Sequence, residues 1–266
     1  MKVKSKLCTS SLYSRRSLLR LFSAGALTLT ASTVVKAKSL SLRIDYYDDF
    51  APYSLTGEGG AVIGIFIDAL NEVLGNRCHI ELTHSAMPWA RAQQEVKEGR
   101  ADAFCTLVTD VRKEYVEFSR ETLLKPDHRV VVFARNNPKA ANIRKIASRD
   151  DLKNFLIGTY LGDSRVDTLF KGMNIDIVAD MKRMLLKVAA SRTDLAVLPG
   201  PVWKYHARAL GIRDQLEEVW FSLQPGFYLG VRKSYEAHAE VLTLFDKAVV
   251  AARNDGSLDR IAAAYA

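Results

Sequence analysis

Apolar and polar residues follow two alternating rhythms along this chain, one with the period of a strand and one with the period of a helix. SLRIDYY, residues 41–47, has the β-rich composition of a strand, and the Asp-, Pro- and Gly-bearing DDFAPYSLTGEGG after it reads as a loop. In GIFIDALNEVLG, Ile65, Phe66, Ala69, Leu70 and Val73 fall on one helical stripe, with Gly75 as its stop. HIELTHSA alternates as a strand. MPWARAQQEVKEG opens a helix with Pro88 at a favourable starting position and closes at Gly99, and ADAFCTLV is an apolar run of strand length. Strand, helix, strand, helix, strand predicts parallel pairing with crossover helices.

A second alternation begins at RVVVFARNN, an apolar strand bounded by Asn136, Asn137 and Pro138. FLIGTYLGD reads as strand and turn, DTLFKG as the start of a helix, IDIVA as a strand, and DLAVLPG as another. Between the last two, MKRMLLKVAA places Met181, Met184, Leu185 and Val188 on one helical face. The chain ends with a strand in GFYLGVRKS, a long helix stopped at Asp255-Gly256, and a short final helix in SLDRIAAAYA. The same α/β unit made twice, with strand-like crossings between, predicts two lobes and a cleft; ligands in such folds gather at the carboxyl ends of strands and at domain interfaces.

Charge changes this picture less than its size suggests. The 266 residues carry a formal net charge of +8, which invites a nucleic-acid reading. Residues 1–37 hold Lys2, Lys4, Lys6, Arg15, Arg16, Arg20 and Lys36 and no acid; without these seven, 31 of the 38 basic residues face 30 acidic ones. The excess therefore belongs to the N-terminal segment, and no nucleic-acid partner is expected. That segment has a basic start, the short apolar run LLRLFSAGALTLTASTVV and a compact VKA, the three parts of an export signal, with cleavage expected after Ala37. SRRSLLR within it resembles the twin-arginine motif, an ordinary secretory signal being the alternative. By either route the mature protein is expected to work outside the cytoplasm. Once Cys8 leaves with the signal, Cys78 and Cys105 permit one disulfide without requiring it; Cys105 lies in an apolar run, where a buried free thiol is common. His79, His84, His128, His206 and His238 have no metal-ligand spacing, and neither metal nor cofactor is expected.

At this point a set of stretches resembles a known family across essentially the whole mature length. FAPY, GIFIDALNEVLG, PWARAQQEVKEGRADAF, TDVRKEYVEFS, DLKNFLIGTYLGDS, TDLAVLP and NDGSLDRIAAAYA are each loose, but in this order they resemble the extracytoplasmic solute-binding proteins of family 3, the polar amino-acid-type receptors of ABC importers. The resemblance implies a two-lobed α/β fold of the periplasmic-binding-protein type (type II), its lobes joined by two hinge strands. It implies a first lobe of residues 38–130 and 228–266, a second of 131–227, and a monomer that hands its ligand to a permease in the inner membrane.

The resemblance also assigns roles. Thr109, Arg112 and Phe118-Ser119 match the pattern in which the arginine holds the ligand carboxylate, and a planar guanidinium does fork two charge-assisted hydrogen bonds to a carboxylate. The plainer reading of Arg112 is a solvated turn residue beside Asp110 and Glu114. Thr109 is placed to cap a short helix, whose free N–H groups would attract an anion. Phe50 and Tyr53 fall where the family places aromatics over the ligand, with Tyr47 and Trp89 as further wall candidates; packing in a loop core is the alternative for at least one of them. Arg91 is a candidate second cation, a helix-surface charge being the alternative. In GTYLGDS, Asp163 and Ser164 stand where hydroxyl residues meet the carboxylate from the second lobe. Ser164 can supply that hydroxyl, whereas Asp163 would repel an anion or meet an ammonium.

Three departures matter. Where amino-acid binders of the family place an acid for the ligand's ammonium, at the end of DLAVLP, this chain has Pro199-Gly200; the assisting acid on the first lobe is replaced by Tyr47, with Asp48 and Asp49 beyond; and CTLVTDVR is about two residues short of the amino-acid-binding pattern. The expected function is capture of a small carboxylate-bearing solute, amino acid or related organic acid, by hinge closure, with no catalysis. The competing expectation is a periplasmic enzyme on the same fold, such as a cyclohexadienyl-type dehydratase, which would need a positioned acid or base.

Overall fold

The computed structural model describes residues 39–124, 129–221 and 226–265. The expected export signal, its cleavage point at Ala37, His128 and most residues of the two expected hinge crossings lie outside these residues.

From the N-terminus the elements are β1 (Ser41–Tyr47), three short strands β2 (Asp49–Phe50), β3 (Ser54–Thr56) and β4 (Val62–Ile63), α1 (Ile65–Leu70), β5 (Glu81–Met87), α2 (Trp89–Lys97), β6 (Ala103–Thr106), α3 (Asp110–Lys113) and β7 (Val116–Thr122). There follow β8 (Arg129–Ala134), α4 (Ala140–Ile143), β9 (Leu156–Tyr160), β10 (Asn174–Val178), α5 (Met181–Ala189), β11 (Leu195–Pro199), α6 (Gly200–Ala209) and β12 (Leu216–Phe221). The chain closes with β13 (Tyr228–Arg232), α7 (His238–Asn254) and α8 (Ser257–Ala263).

Two five-stranded sheets form, in the orders β5-β1-β6-β13-β7 and β10-β9-β11-β8-β12. In the first, β1 runs parallel to β5 and β6, and β13 returns antiparallel between β6 and β7. Charge fixes that return: the buried Asp102 accepts from the guanidiniums of both Arg43 and Arg232. In the second sheet β9 is parallel to β10 and β11, while β8 and β12 close it antiparallel. The interior continues from one sheet's side of the molecule to the other, from Ile44 and Phe104 through Tyr160 to Met184 and Trp203, and a smaller core of Val131, Phe133, Phe155 and Phe170 lies on the far face of the second sheet.

The helices expected from periodicity form within a few residues of their patterns. The stripe at Ile65 continues past its expected stop at Gly75, as a wider turn over Asn71–Asn76. DTLFKG does not open a helix: residues 164–172 are consecutive turns with i→i+3 bonds such as Val166 N to Asp163 O and Lys171 N to Thr168 O. The cause is local, because Asp163 and Arg165 point inward and tether the turn to the core instead of leaving it free to wind. DDFAPYSLTGEGG is not all loop, since β2, β3 and β4 make a small antiparallel sheet in it. Gly64, at φ +131°, lets α1 start against that sheet; a Cβ there would lie 2.5 Å from the Tyr53 carbonyl oxygen.

Candidate functional site

Burial on both faces toward the end of β1 aims Tyr46 and Tyr47 at the carboxyl ends of the parallel strands. There they meet Cys105, Thr106 and Leu107 at the end of β6, and Tyr160, Leu198 and Pro199 at the ends of β9 and β11. Between them lies a partly open cavity, walled also by Phe50, Phe66, Trp89 and Phe227. Its charged lining consists, among the described residues, of Arg112, Asp163 and Arg165.

Arg112 is 3 % exposed, which removes the solvated-turn reading of this residue. The single turn of α3 turns the side chain inward, where Nε donates to Gln93 Oε1 at 2.9 Å and Nη1 to the Leu107 carbonyl at 3.0 Å. The guanidinium stacks 5.1 Å from the Trp89 ring centre. All three partners are neutral, Nη2 has no hydrogen bond among the described residues, and burial pulls the pKa of this arginine down to about 10. A buried cation without an anion is costly, so the arrangement holds a positive charge for which the protein itself supplies no counter-ion in direct contact.

The second arginine is treated differently. Arg165 Nε and Nη2 donate to Asp163 at 2.8 and 2.6 Å, its backbone N–H to Asp163 Oδ1 at 3.0 Å, and Nη1 to the Val197 carbonyl at 2.8 Å. The Thr159 hydroxyl adds a further donor to Asp163. Burial alone would raise the pKa of Asp163, but the charge and hydrogen bonds of Arg165 and Thr159 bring it down to about 2. The pair keeps Arg165 charged against its own burial as well.

Of the residues singled out from sequence, Arg112, Tyr47, Phe50, Trp89 and Asp163 meet at this cavity. Tyr53 does not: it packs behind the wall, its ring 5.4 Å from that of Phe50, 5.1 Å from Phe66 and 5.1 Å from Phe227. Thr109 sits at the head of α3 in extended backbone, but its hydroxyl makes no capping bond and is buried without a partner among the described residues, away from the cavity. The four residues of α3 are too short a helix to give the N-terminal field expected of it. Ser164 borders an outer groove with Gln93 and Gly162 rather than the cavity, and its hydroxyl is buried without a partner among the described residues. Asp163 reaches the lining but meets Arg165 instead of a free ligand position. Arg91 is on the surface, paired with Glu95. Cys78 and Cys105 are both free.

Gln93 and Arg165 escaped the sequence reading. Gln93 lies four residues after Trp89, hence on the same face of α2, a signal that was available. Its amide also joins the two sheets' sides, because Nε2 donates to the Gly162 carbonyl at 2.9 Å. Gly162 has φ +86°, and a Cβ there would sit 2.9 Å from the Ala90 nitrogen, so the close approach requires glycine. Tyr47 and Tyr160 stack across the same divide at 5.2 Å, and Asp49 Oδ1 lies 3.7 Å from His206 Nδ1.

Comparison with known proteins adds kinship to this geometry. The chain is 26 % identical over 254 residues to the lysine/arginine/ornithine-binding periplasmic protein of Escherichia coli (strain K12), covering 89 % of this chain and 91 % of that protein. It shares its fold with an ancestral arginine-binding protein bound to arginine (TM-score 0.67, 21 % identity, 85 % of this chain and 97 % of that one). It shares it also with an arginine transport-system periplasmic binding protein from Legionella pneumophila (TM-score 0.67, 18 % identity, 86 % and 100 %). A histidine kinase sensor domain similar to periplasmic binding proteins has the same fold, with TM-score 0.70 at 17 % identity over 85 % of this chain and 96 % of that one. Residues 42–266 match the family profile of the bacterial extracellular solute-binding proteins, family 3, and the chain belongs to that family.

Proposed function

We propose that this protein is an exported, non-catalytic receptor that captures a small carboxylate-bearing solute between its two lobes and delivers it to an ABC permease. The observation that carries the reading is Arg112: a buried guanidinium at the cavity, bonded only to neutral groups, with Nη2 still to be satisfied. A ligand carboxylate supplies both the missing charge and the missing acceptor. The lobes, residues 38–130 with 228–266 and residues 131–227, would close over it by hinge motion. The ligand stabilises the closed state through contacts that the open one lacks, with the Gln93–Gly162 bond and the Tyr47–Tyr160 stack among the closures it completes. An export signal cut near Ala37, read by the twin-arginine or the Sec machinery, brings the chain to the periplasm.

Three of the relatives named above are lysine/arginine/ornithine- or arginine-binding proteins, whose cationic ligands call for acidic partners. The one carboxylate among the described lining residues here is Asp163, already bonded to Arg165, so the cationic specificity of those relatives does not carry over. A thermal-shift screen of amino acids and organic acids on the mature protein tests the reading. A ligand at a hundred times its Kd should stabilise by roughly 2.7 kcal/mol, and Arg112→Gln should remove the response. A ligand whose affinity survives Arg112→Gln, or a screen in which no carboxylate raises the melting temperature, rejects it.

A further inference from the structure

Resting on the carboxylate reading of Arg112, we propose that the Asp163–Arg165 pair is the specificity determinant of this cavity, selecting monocarboxylates that lack an amino group over the corresponding amino acids. The argument is one of charge and of acceptors. Two guanidiniums and one carboxylate line the cavity, leaving a single positive charge. A monocarboxylate neutralises it. An amino acid, carrying both signs, leaves it uncompensated in a buried site, and a cationic amino acid doubles it; buried charge without a partner is strongly unfavourable.

The acceptors point the same way. An ammonium has three donors to satisfy, yet both Asp163 oxygens already accept, from Arg165 Nε, Nη2 and backbone N–H and from the Thr159 hydroxyl. The carbonyls of Leu107 and Val197 accept from Arg112 and Arg165 and stand beside positive charge. The Trp89 ring, whose face would attract a cation, carries Arg112 at 5.1 Å. What remains for the body of the ligand is mostly apolar surface from Tyr47, Phe50, Phe66, Phe227 and Leu198, with Ser54, Thr106 and Tyr160 adding uncharged hydroxyls but no carboxylate. The ligand class is therefore an apolar-bodied, small monocarboxylate.

Matched pairs with the same carbon skeleton test this directly: 3-phenylpropanoate against phenylalanine, and 4-methylpentanoate against leucine, titrated calorimetrically into the mature protein, Arg165→Met, and the double variant Asp163→Asn/Arg165→Met. The native protein should prefer the acid to the amino acid at least tenfold. Arg165→Met frees the Asp163 carboxylate and brings the lining to neutrality, so the ratio should move at least tenfold toward the amino acid. The double variant restores one positive charge and should restore the acid preference, a reversal that mere loss of packing would not produce. If Arg165→Met does not fold, Arg165→Gln, which frees the same carboxylate with a neutral polar side chain, takes its place. An amino acid bound as tightly as its acid by the native protein, or an unchanged ratio in a folded Arg165→Met, overturns the inference while Arg112-dependent carboxylate binding stands. Failure of every pair to bind overturns the carboxylate reading and this inference with it.

Discussion

Two arginines face one cavity, and the protein handles them in opposite ways. On the side of the first sheet, Arg112 is buried at 3 % exposure among neutral partners, and burial lowers its pKa to about 10. On the side of the second, Arg165 at 6 % exposure is locked to Asp163, which holds both groups ionised. One charge awaits a partner from outside and the other has its partner in the chain. Similar burial thus leaves one guanidinium open to the ligand carboxylate proposed above and the other already neutralised inside the cavity wall. What separates them is whether a carboxylate is already within hydrogen-bond reach.

The comparison breaks most visibly if Asp163 is neutralised. Asp163→Asn leaves Arg165 buried beside no anion and should cost about 3–5 kcal/mol of stability, read by urea unfolding, since removing one partner of a buried ion pair is far worse than removing both. Asp163→Asn/Arg165→Met should recover most of that loss. Arg112→Gln should do the reverse: ligand affinity falls by about 2–4 kcal/mol, roughly 30- to 1,000-fold, while the unliganded protein is no less stable, because an uncompensated buried charge has gone. If Arg112→Gln destabilises the unliganded protein as much as Asp163→Asn does, the two arginines are alike and the distinction fails.

Acid sharpens the same contrast at a smaller scale. Asp163 titrates near 2 in the folded protein against 3.8 as a free side chain. A depressed carboxylate contributes stability that is present above the unfolded pKa and lost as pH falls through the folded one. Between pH 4 and pH 2 the native protein should therefore lose about 2 kcal/mol more than the double variant. Asp49 runs the other way: burial, then the charges of Asp48 and Asp180, raise it to about 6, so its contribution is complete below pH 4 and lost as pH climbs through 6. His206, 3.7 Å from Asp49 and held down to about 4 by burial, opposes it. Comparing Asp49→Asn with the native protein over pH 4 to 7 isolates the Asp49 limb.

Which half of this site could be read from sequence follows from the same physics. Arg112 stood out because its surrounding pattern, with Thr109 before and Phe118-Ser119 after, resembles a family motif, and the wall residues Tyr47, Phe50 and Trp89 lie in strand-end and helix-start positions that periodicity predicts. The α/β alternation gave most sheet strands, since buried parallel strands such as Leu195–Pro199 are nearly unbroken apolar runs. It passed over β7 and β12, whose half-exposed patterns mix charge with aromatics, and the turns after Asp163, where DTLFKG imitates a helix start. The Asp163–Arg165 pair was illegible for a related reason. A spacing of two residues places both side chains in one turn but does not say that both turn inward, and only burial distinguishes a surface Asp-x-Arg from a buried ion pair that lines a cavity.

Gln93 is the joint between the two regions, and its replacement tests the finest prediction. The orientation of its amide is fixed by its neighbours: Oε1 faces the Arg112 donor and Nε2 the Gly162 carbonyl, at 2.9 Å each, and the reverse placement would oppose donor to donor and acceptor to acceptor. Gln93→Ala removes one bond that orients the free arginine and one that spans the divide beside the paired one. The bond to the Arg112 guanidinium is present with or without ligand, whereas the neutral spanning bond contributes about 1 kcal/mol net and counts only where the two sides are together. Affinity should then fall about three- to tenfold, by a rise in ligand off-rate measured in stopped flow. A loss of hundredfold or more would mean that Gln93 holds Arg112 in its binding conformation outright, and the arginine's readiness for a ligand would then be borrowed from α2 rather than intrinsic to its own turn.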